Sequence, residues 1–299
     1  MPAQIEDPIR QLITSTIPER LWHYTDIEGF HGIVTSQKMR ATDIRFLNDK
    51  EEAKHAVALA KRLLFEIIPS ETTLAVRKLV METYESFVER GSLSPRILQL
   101  FTASFTLNGD QLSQWRGYSR ASAGVSLGFD LRTVRAFAKN MIFAPCVYRD
   151  EDKQRLLRYA IVSFVESVLK LAEQTESYRK EDLTKIKIDI GIQLLNLVAL
   201  LKHSAFEEEQ EWRIVFPYFT NVHKPSSLQF RLRPSTLVPF IEYPLSWVVN
   251  DAISFNLKEV ILGPGFESET GSDAMRAFLS EIGHGNITIR ESRIPYRPW

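Results

Sequence analysis

The sequence predicts an α+β fold in which a mixed or antiparallel sheet carries a helical insertion and a central pair of helices. Short alternating apolar segments occur before residue 150 and again after residue 210, and the segment 150–203 between them has helical periodicity. Strands that flank a helical block are typical of this class. The chain has 299 residues without an internal repeat or a low-complexity linker, so we expect a single domain over 1–299.

The first half of the chain alternates between strand and helix patterns. Residues 21–25 are expected to form a strand, and apolar residues then recur at helical spacing over 26–37, after Asp26 as N-cap. A helical insertion follows at 49–100, with Asn48 or Asp49 as cap and Glu52 completing a capping box. The other elements predicted here are helices up to 67 and over 71–90, strands 101–106, 124–129 and 143–148, and a helical turn at 110–117.

The second half begins with the predicted helical pair, 150–203, in which two apolar stripes suggest antiparallel helices. After it, strand patterns return, and Gly263-Pro264-Gly265 ends one of them. The sheet core is therefore expected to comprise 21–149 and 205–295. The elements predicted here are strands 211–217, 227–232, 238–242, 258–262 and 286–291, and a helix at 270–282.

Composition excludes several classes of protein. Lys plus Arg and Asp plus Glu both total 37, so the net charge of zero argues against a protein that coats nucleic acid. The only cysteine, Cys146, excludes an internal disulfide and a cysteine-based zinc site. His31 and His55 have no ligand partners at metal spacing, so no metal site is expected. Neither a signal-peptide pattern nor an apolar stretch of about 20 residues occurs, so we expect a cytoplasmic protein that does not enter a membrane.

The first candidate site lies on the strand 21–25. His23 and Thr25 are two residues apart, so they share one face of the strand. An imidazole and a hydroxyl on one face can bind a ribose diol or an amide. A buried core histidine beside Trp22 would explain the same pattern.

The second candidate site is an acidic run that leads into an apolar strand. Glu209 and Glu211 are expected to share a strand face, with Trp212 on the opposite face and Arg213 placed to pair with Glu211. A carboxylate at the start of a buried strand can have its pKa tuned by its surroundings. A solvent-exposed charge run at a helix end is the simpler alternative.

The third candidate site joins a strand to the helical turn after it. Ser104 and Thr106 share a strand face, and Trp115 and Tyr118 lie three apart on one helical side, where they can form an aromatic wall. Ordinary core packing would also account for these residues. The common phosphate-loop and hydrolase motifs are absent from the chain.

Taken in order, these motifs resemble those of the bacterial family DUF2971. The resemblance extends over about 20–297, and the family name implies no activity. It rests on residues 23–25, 46–52, 104–106, 115–118, 124–130, 209–213 and 260–264.

The front motif is more distantly similar to that of the DarT-like ADP-ribosyltransferase superfamily. That resemblance implies an ADP-ribosyltransferase-like sheet with NAD as substrate. The first-strand residues His23, Tyr24 and Thr25 would bind the NAD ribose, and Ser104 and Thr106 would support the nicotinamide pocket. In the same comparison Glu211, with Glu209 two residues before it, would stabilise the positive charge that develops on the ribose.

Two aromatic residues have no assigned role in this comparison, and two features of the sequence differ from the superfamily pattern. Trp115 or Tyr118 would stack on nicotinamide, although no motif assigns that role. The insert at 49–100 is long for the superfamily, and Tyr24 stands in the wrong place for the tyrosine of its His-Tyr-Glu subclass.

Three functions stay open at this level. The first is an NAD-dependent ADP-ribosyltransferase, as a bacterial toxin or anti-phage defence effector, whose acceptor the sequence does not name. The second is a non-catalytic module that senses a nucleotide or another ligand. The third is NAD glycohydrolysis or RNA 2′-phosphate transfer, the latter favoured only if Arg40, Arg45, Arg116 and Arg120 form a basic groove.

Overall fold

The computed structural model describes ten segments of the chain, and all structural statements below concern these residues. They are 7–47, 50–68, 74–85, 98–118, 124–137, 141–174, 180–219, 227–249, 252–266 and 268–296.

The described strands are predominantly antiparallel. Only β11 and β12 of the described strands pair in parallel. Numbered in chain order, they are β1 (Leu21–Asp26), β2 (Lys38–Asp43), β3 (Leu98–Thr106), β4 (Gly124–Phe129), β5 (Ile142–Pro145), β6 (Glu211–Phe219), β7 (Leu228–Arg233), β8 (Thr236–Pro244), β9 (Ser246–Val249), β10 (Ala252–Phe255), β11 (Leu257–Leu262) and β12 (Thr288–Glu291).

The described helices differ greatly in length, and the two longest fill the middle of the chain. They are α1 (Pro8–Ile13), α2 (Ile27–Ser36), α3 (Lys50–Ile67), α4 (Leu74–Tyr84), α5 (Leu112–Tyr118), α6 (Val134–Phe137), α7 (Asp150–Gln174), α8 (Lys180–Leu200) and α9 (Ser268–Glu281), with short 3₁₀ helices at Ile44–Phe46 and Ser204–Glu209. None of the described helices is long and apolar enough to cross a membrane.

The main sheet opens at β3. One edge of β3 pairs with β6 along its whole length, whereas the other edge pairs with β1 at Thr106 and with β2 at Phe101 and Thr102. Between those two contacts, none of the described strands pairs with residues 103–105 on that edge. The sheet therefore splits between β1 and β2, and the split leaves backbone groups of β3 available to side chains.

The sheet and the long helices have separate apolar clusters. One face is buried in a core to which β1, β3, β4, β6 and β11 contribute, and which also takes in α2 and α9. Helices α3, α4, α7 and α8 form a second apolar cluster, in which α3 packs on both α7 and α8. The predicted insertion at 49–100 and the central pair at 150–203 therefore pack on each other.

The coarse predictions of fold agree with the structure. The class is α+β with a mostly antiparallel sheet, and the central segment forms the two predicted helices. Strand β2 was not predicted, because its sequence, KMRATD, has no run of β-branched or aromatic residues. The predicted caps Asn48 and Asp49 lie outside the described residues, as does the end of the helix predicted over 71–90.

Candidate functional site

An open pocket with a cavity volume of about 50 Å³ lies where β1, β3, α5 and the start of β6 meet. Most of the residues that the sequence proposed for a site line this pocket. Its lining consists of Trp22, His23, Tyr24, Ser104, Phe105, Thr106, Gln114, Tyr118, Glu209 and Glu211.

Strand register explains why residues so far apart in sequence meet here. Trp22 of β1 lies opposite Thr106 of β3, and Thr106 lies opposite Glu211 of β6. Residues directly opposite one another in antiparallel strands project from the same face. The three side chains therefore form a row across three strands, and Ser104 and Tyr24, two positions along their strands, extend the same face.

His23 occupies the split in the sheet. Its Nδ1 lies 2.9 Å from the carbonyl oxygen of Ser104, in the stretch of β3 that has no strand partner on this edge. Because a carbonyl oxygen only accepts, Nδ1 carries the hydrogen and Nε2 of the neutral ring is an acceptor. Burial lowers the pKa of His23, and the Ser104 carbonyl opposes that effect only in part, so the neutral ring is favoured.

Glu211 is the centre of a buried ion network. Its side chain and those of Lys202 and Arg213 are each at most 6% exposed. Arg213 donates from Nε to Oε1 at 2.8 Å and from Nη2 to Oε2 at 3.0 Å, which confirms the predicted pairing. Lys202 Nζ donates to Oε2 of Glu211 at 2.7 Å and to Oε2 of Glu209 at 2.6 Å.

The network holds Glu211 as a carboxylate. Burial alone would raise the pKa of Glu211, but the charges and hydrogen bonds of Arg213 and Lys202 outweigh it and lower the pKa to about 2. The same carboxylates raise the pKa of Lys202 despite its burial. Two carboxylates and two cations make the network neutral overall, and Glu211 is too weak a base to take a proton at neutral pH.

The acidic run divides into an exposed part and a buried part. Glu207 and Glu208 are exposed on the 3₁₀ helix Ser204–Glu209, as the simple charge-run interpretation expected. The prediction that Glu209 and Glu211 share a strand face is wrong, because Glu209 ends that helix and Gln210 has a left-handed backbone with φ of 43°. The two carboxylates meet through Lys202 instead.

Two predicted ligand-binding residues do not line the pocket. Trp115 is 1% exposed, donates from Nε1 to Asp110 at 2.9 Å and packs edge-on against Tyr24 at 4.6 Å. The hydroxyl of Thr25 lies against the first turn of α2, since a Cβ placed on Gly29 would be 2.0 Å from its oxygen. Both residues support the walls of the site, and the aromatic residues that do face the pocket include Trp22, Tyr24 and Tyr118.

Hydrogen bonds tie the loop before α5 to both sides of the pocket. The hydroxyl of Tyr24 donates to the carbonyl of Asn108 and accepts from the backbone N–H of Gln111, both at 2.9 Å. Thr106 Oγ1 donates to the carbonyl of Glu209 at 2.5 Å, and the Gln111 amide donates to the carbonyl of Glu208 at 2.9 Å. The position of α5 is therefore coupled to the acidic residues.

Sequence reasoning missed two functional candidates, Lys202 and Gln114. Lys202 follows the apolar end of α8, and a lone cation directly after a buried helix is a signal that could have found it. Gln114 precedes Tyr118 by four residues, so helical spacing places both on one side of α5. Both residues lie inside the segment that matches a known family.

Residues 114–214 match the family model described as protein of unknown function, DUF2971. The match begins at Gln114 and includes Tyr118, Lys202, Glu209 and Glu211, and it supports the resemblance to that family. No curated protein and no solved structure matches the chain.

Proposed function

We propose that this protein binds NAD in the pocket and cleaves the bond between nicotinamide and ribose, transferring ADP-ribose to an acceptor. One observation carries the proposal. His23, the pair Ser104 and Thr106, and the pair Glu209 and Glu211 resemble separate ADP-ribosyltransferase motifs, and all five residues line one pocket.

The proposed chemistry depends on a fixed negative charge beside the ribose. As the bond between ribose C1′ and the pyridinium nitrogen breaks, its electron pair neutralises the nicotinamide ring and positive charge develops on the ribose. Glu211 stabilises that charge, because it stays ionised with a pKa of about 2 and is held in place by Arg213 and Lys202. The acceptor then supplies an electron pair to C1′ and loses its proton to the more exposed Glu209 or to water.

The size and polarity of the pocket suit one ring of the ligand rather than the whole of NAD. The pocket is small, with a cavity volume of about 50 Å³, so a single ring is the part of NAD that would enter it and the adenosine part would lie outside. In this arrangement the neutral His23 ring accepts a hydrogen bond from a ribose hydroxyl through Nε2. The aromatic side chains of Trp22 and Tyr24 would help to exclude water.

RNA 2′-phosphate transfer receives little support from the same residues. The described lining of the pocket contains neither Lys nor Arg, although phosphate recognition relies on such cations. Of the four arginines of the possible basic groove, Arg45 pairs with Asp43, Arg40 stacks on Phe240 and Arg116 stacks on Tyr296. Arg120 lies outside the described residues.

A ligand-sensing module without catalysis is the second candidate, and the ion network favours it. Two cations neutralise the two carboxylates, which is also how a purely structural buried cluster is satisfied. A bound nucleotide could then shift the carboxylates without being cleaved.

Incubation of purified protein with NAD separates the two candidates. Released nicotinamide is measured by chromatography, with and without bacterial lysate as a source of acceptor, and NAD binding is measured by calorimetry. Release supports the transferase, and its dependence on lysate separates transfer to an acceptor from hydrolysis. Binding without release under either condition supports the sensing module, and neither binding nor release contradicts both.

A further inference from the structure

Gln114 contributes to the pocket wall an amide that none of the described residues pairs. The residue is 6% exposed and lines the pocket, and its side chain has no hydrogen-bond partner among the described residues. Buried amides are nearly always paired, because an unpaired donor or acceptor loses its hydration without compensation. Gln111, one turn earlier, shows the usual arrangement, since its amide donates to the Glu208 carbonyl.

The backbone around Gln114 is held firmly. The next residue, Trp115, is buried against Tyr24, and its Nε1 donates to Asp110, which also accepts from Ser292 and from the backbone of Arg293. These contacts fix α5 at the pocket wall. A buried polar group on a fixed element that faces a pocket is placed to recognise a ligand.

The groups around Gln114 restrict the chemistry of that ligand. The Ser104 hydroxyl and Nε2 of His23 also have no partners among the described residues, and both line the pocket. The carboxylates of Glu209 and Glu211 are already bound by Lys202, and the described lining holds no Lys or Arg. The pocket therefore offers neutral hydrogen bonds and aromatic walls rather than a site for an anion.

We propose that Gln114 is the specificity-determining residue of this pocket and that it recognises the carboxamide of a planar ring by a two-point amide pair. Gln114 Nε2 donates to the ligand carbonyl, and Oε1 accepts from the ligand N–H. Given the proposed function, the nicotinamide end of NAD is the part that enters the pocket. A carboxylate in place of the carboxamide is rejected, because it lacks the N–H and brings an uncompensated charge.

Binding of two ring compounds tests this directly. Nicotinamide and nicotinic acid differ only at the recognised group, and their dissociation constants are measured by ligand-observed NMR at pH 7. The wild type is expected to bind nicotinamide at least about tenfold more tightly than nicotinic acid, the factor of one good hydrogen bond. Equal affinities overturn the inference without any variant.

Variants locate the recognition at Gln114. Gln114→Met keeps the length of the side chain and removes the amide, and Gln114→Asn keeps an amide that is too short to reach. Both are expected to weaken nicotinamide binding by about tenfold, whereas Gln154→Met, at an exposed position of α7, leaves it unchanged. Circular dichroism checks that each variant is folded, and an affinity for nicotinamide that is unchanged in a folded Gln114 variant overturns the inference.

The outcomes also separate this inference from the proposed function. NAD cleavage that continues unchanged in a folded Gln114→Met variant overturns the role of Gln114 and leaves the transferase intact. Nicotinamide binding that depends on Gln114, in a protein that does not cleave NAD, supports the role of Gln114 and counts against the transferase. A wild type that binds neither compound overturns the inference.

Discussion

The imidazole of His23 takes the place of a missing strand neighbour for Ser104. Its Nδ1 binds the Ser104 carbonyl at 2.9 Å, at the point where β3 pairs with neither β1 nor β2 on that edge. The His23 side chain therefore gives the Ser104 carbonyl a hydrogen-bond partner in the split of the sheet. Its Nε2 remains available on the side of the pocket. The structural role of His23 and the ligand-binding role that we propose for it therefore reside in different atoms.

His23→Asn and His23→Leu separate these two roles. Asn keeps a donor near the position of Nδ1 and removes Nε2, whereas Leu removes both. We expect Leu to lower the free energy of unfolding by about 1–3 kcal/mol more than Asn, because it leaves the Ser104 carbonyl unpaired. Both variants should lose NAD affinity. Urea unfolding and calorimetry measure the two effects, and equal stability of the two variants would contradict the structural role.

Glu211→Gln should be strongly destabilising by itself. It leaves Lys202 and Arg213 buried with one carboxylate fewer, and we expect a loss of about 3–5 kcal/mol in the free energy of unfolding. Glu211→Gln combined with Lys202→Met removes one charge of each sign and should recover part of that loss. Urea unfolding followed by circular dichroism measures both. A single variant as stable as the wild type would show that the network contributes little.

The same network makes stability depend on acid pH. The pKa of Glu211 is lowered from 4.5 to about 2, so its contribution is complete above pH 4.5 and is lost as the pH falls towards 2. A shift of this size corresponds to about 3 kcal/mol. The free energy of unfolding should therefore fall more steeply between pH 4.5 and 2 in the wild type than in the double variant. Parallel curves would contradict the assignment to Glu211.

Trp115→Phe should affect folding and leave NAD binding unchanged. Phe retains most of the contact with Tyr24 but loses the hydrogen bond to Asp110, so we expect a loss of about 1 kcal/mol in the free energy of unfolding. The KM for NAD should stay at the wild-type value, because Trp115 does not line the pocket. Tyr118→Phe is the matched comparison, because Tyr118 does line the pocket. A raised KM for Trp115→Phe with normal stability would instead indicate contact with the ligand.

Local pattern was sufficient to predict most of the elements. Strand β4 was predicted over 124–129, where the structure has it, and the central helices follow from apolar stripes in 150–203. Strand β2 was missed because it is rich in charge, and its position depends on pairing with β8 and β3. Local pattern also could not predict the packing of α3 on α7, because this contact joins two segments that are far apart in the sequence.

The site was predicted residue by residue but not as a network. His23, Ser104 and Glu211 were identified from side-chain chemistry and period. Register between β3 and β6 places Ser104 and Glu211 on one face, and His23 reaches Ser104 through the split in the sheet. Lys202 was missed because its role depends on the end of α8 meeting the start of β6. The prediction that Glu209 shares a strand face with Glu211 was wrong, because Gln210 takes a left-handed conformation that a strand pattern does not reveal.

The most direct test of the account is the rate of nicotinamide release from NAD by the wild type and by the Glu211→Gln/Lys202→Met double variant, compared at equal folded fraction. We expect release by the wild type and a loss of at least about 100-fold in the double variant, because the variant lacks the proposed fixed charge beside the ribose. No release by the wild type, with or without lysate, or equal release by a folded double variant, would contradict it.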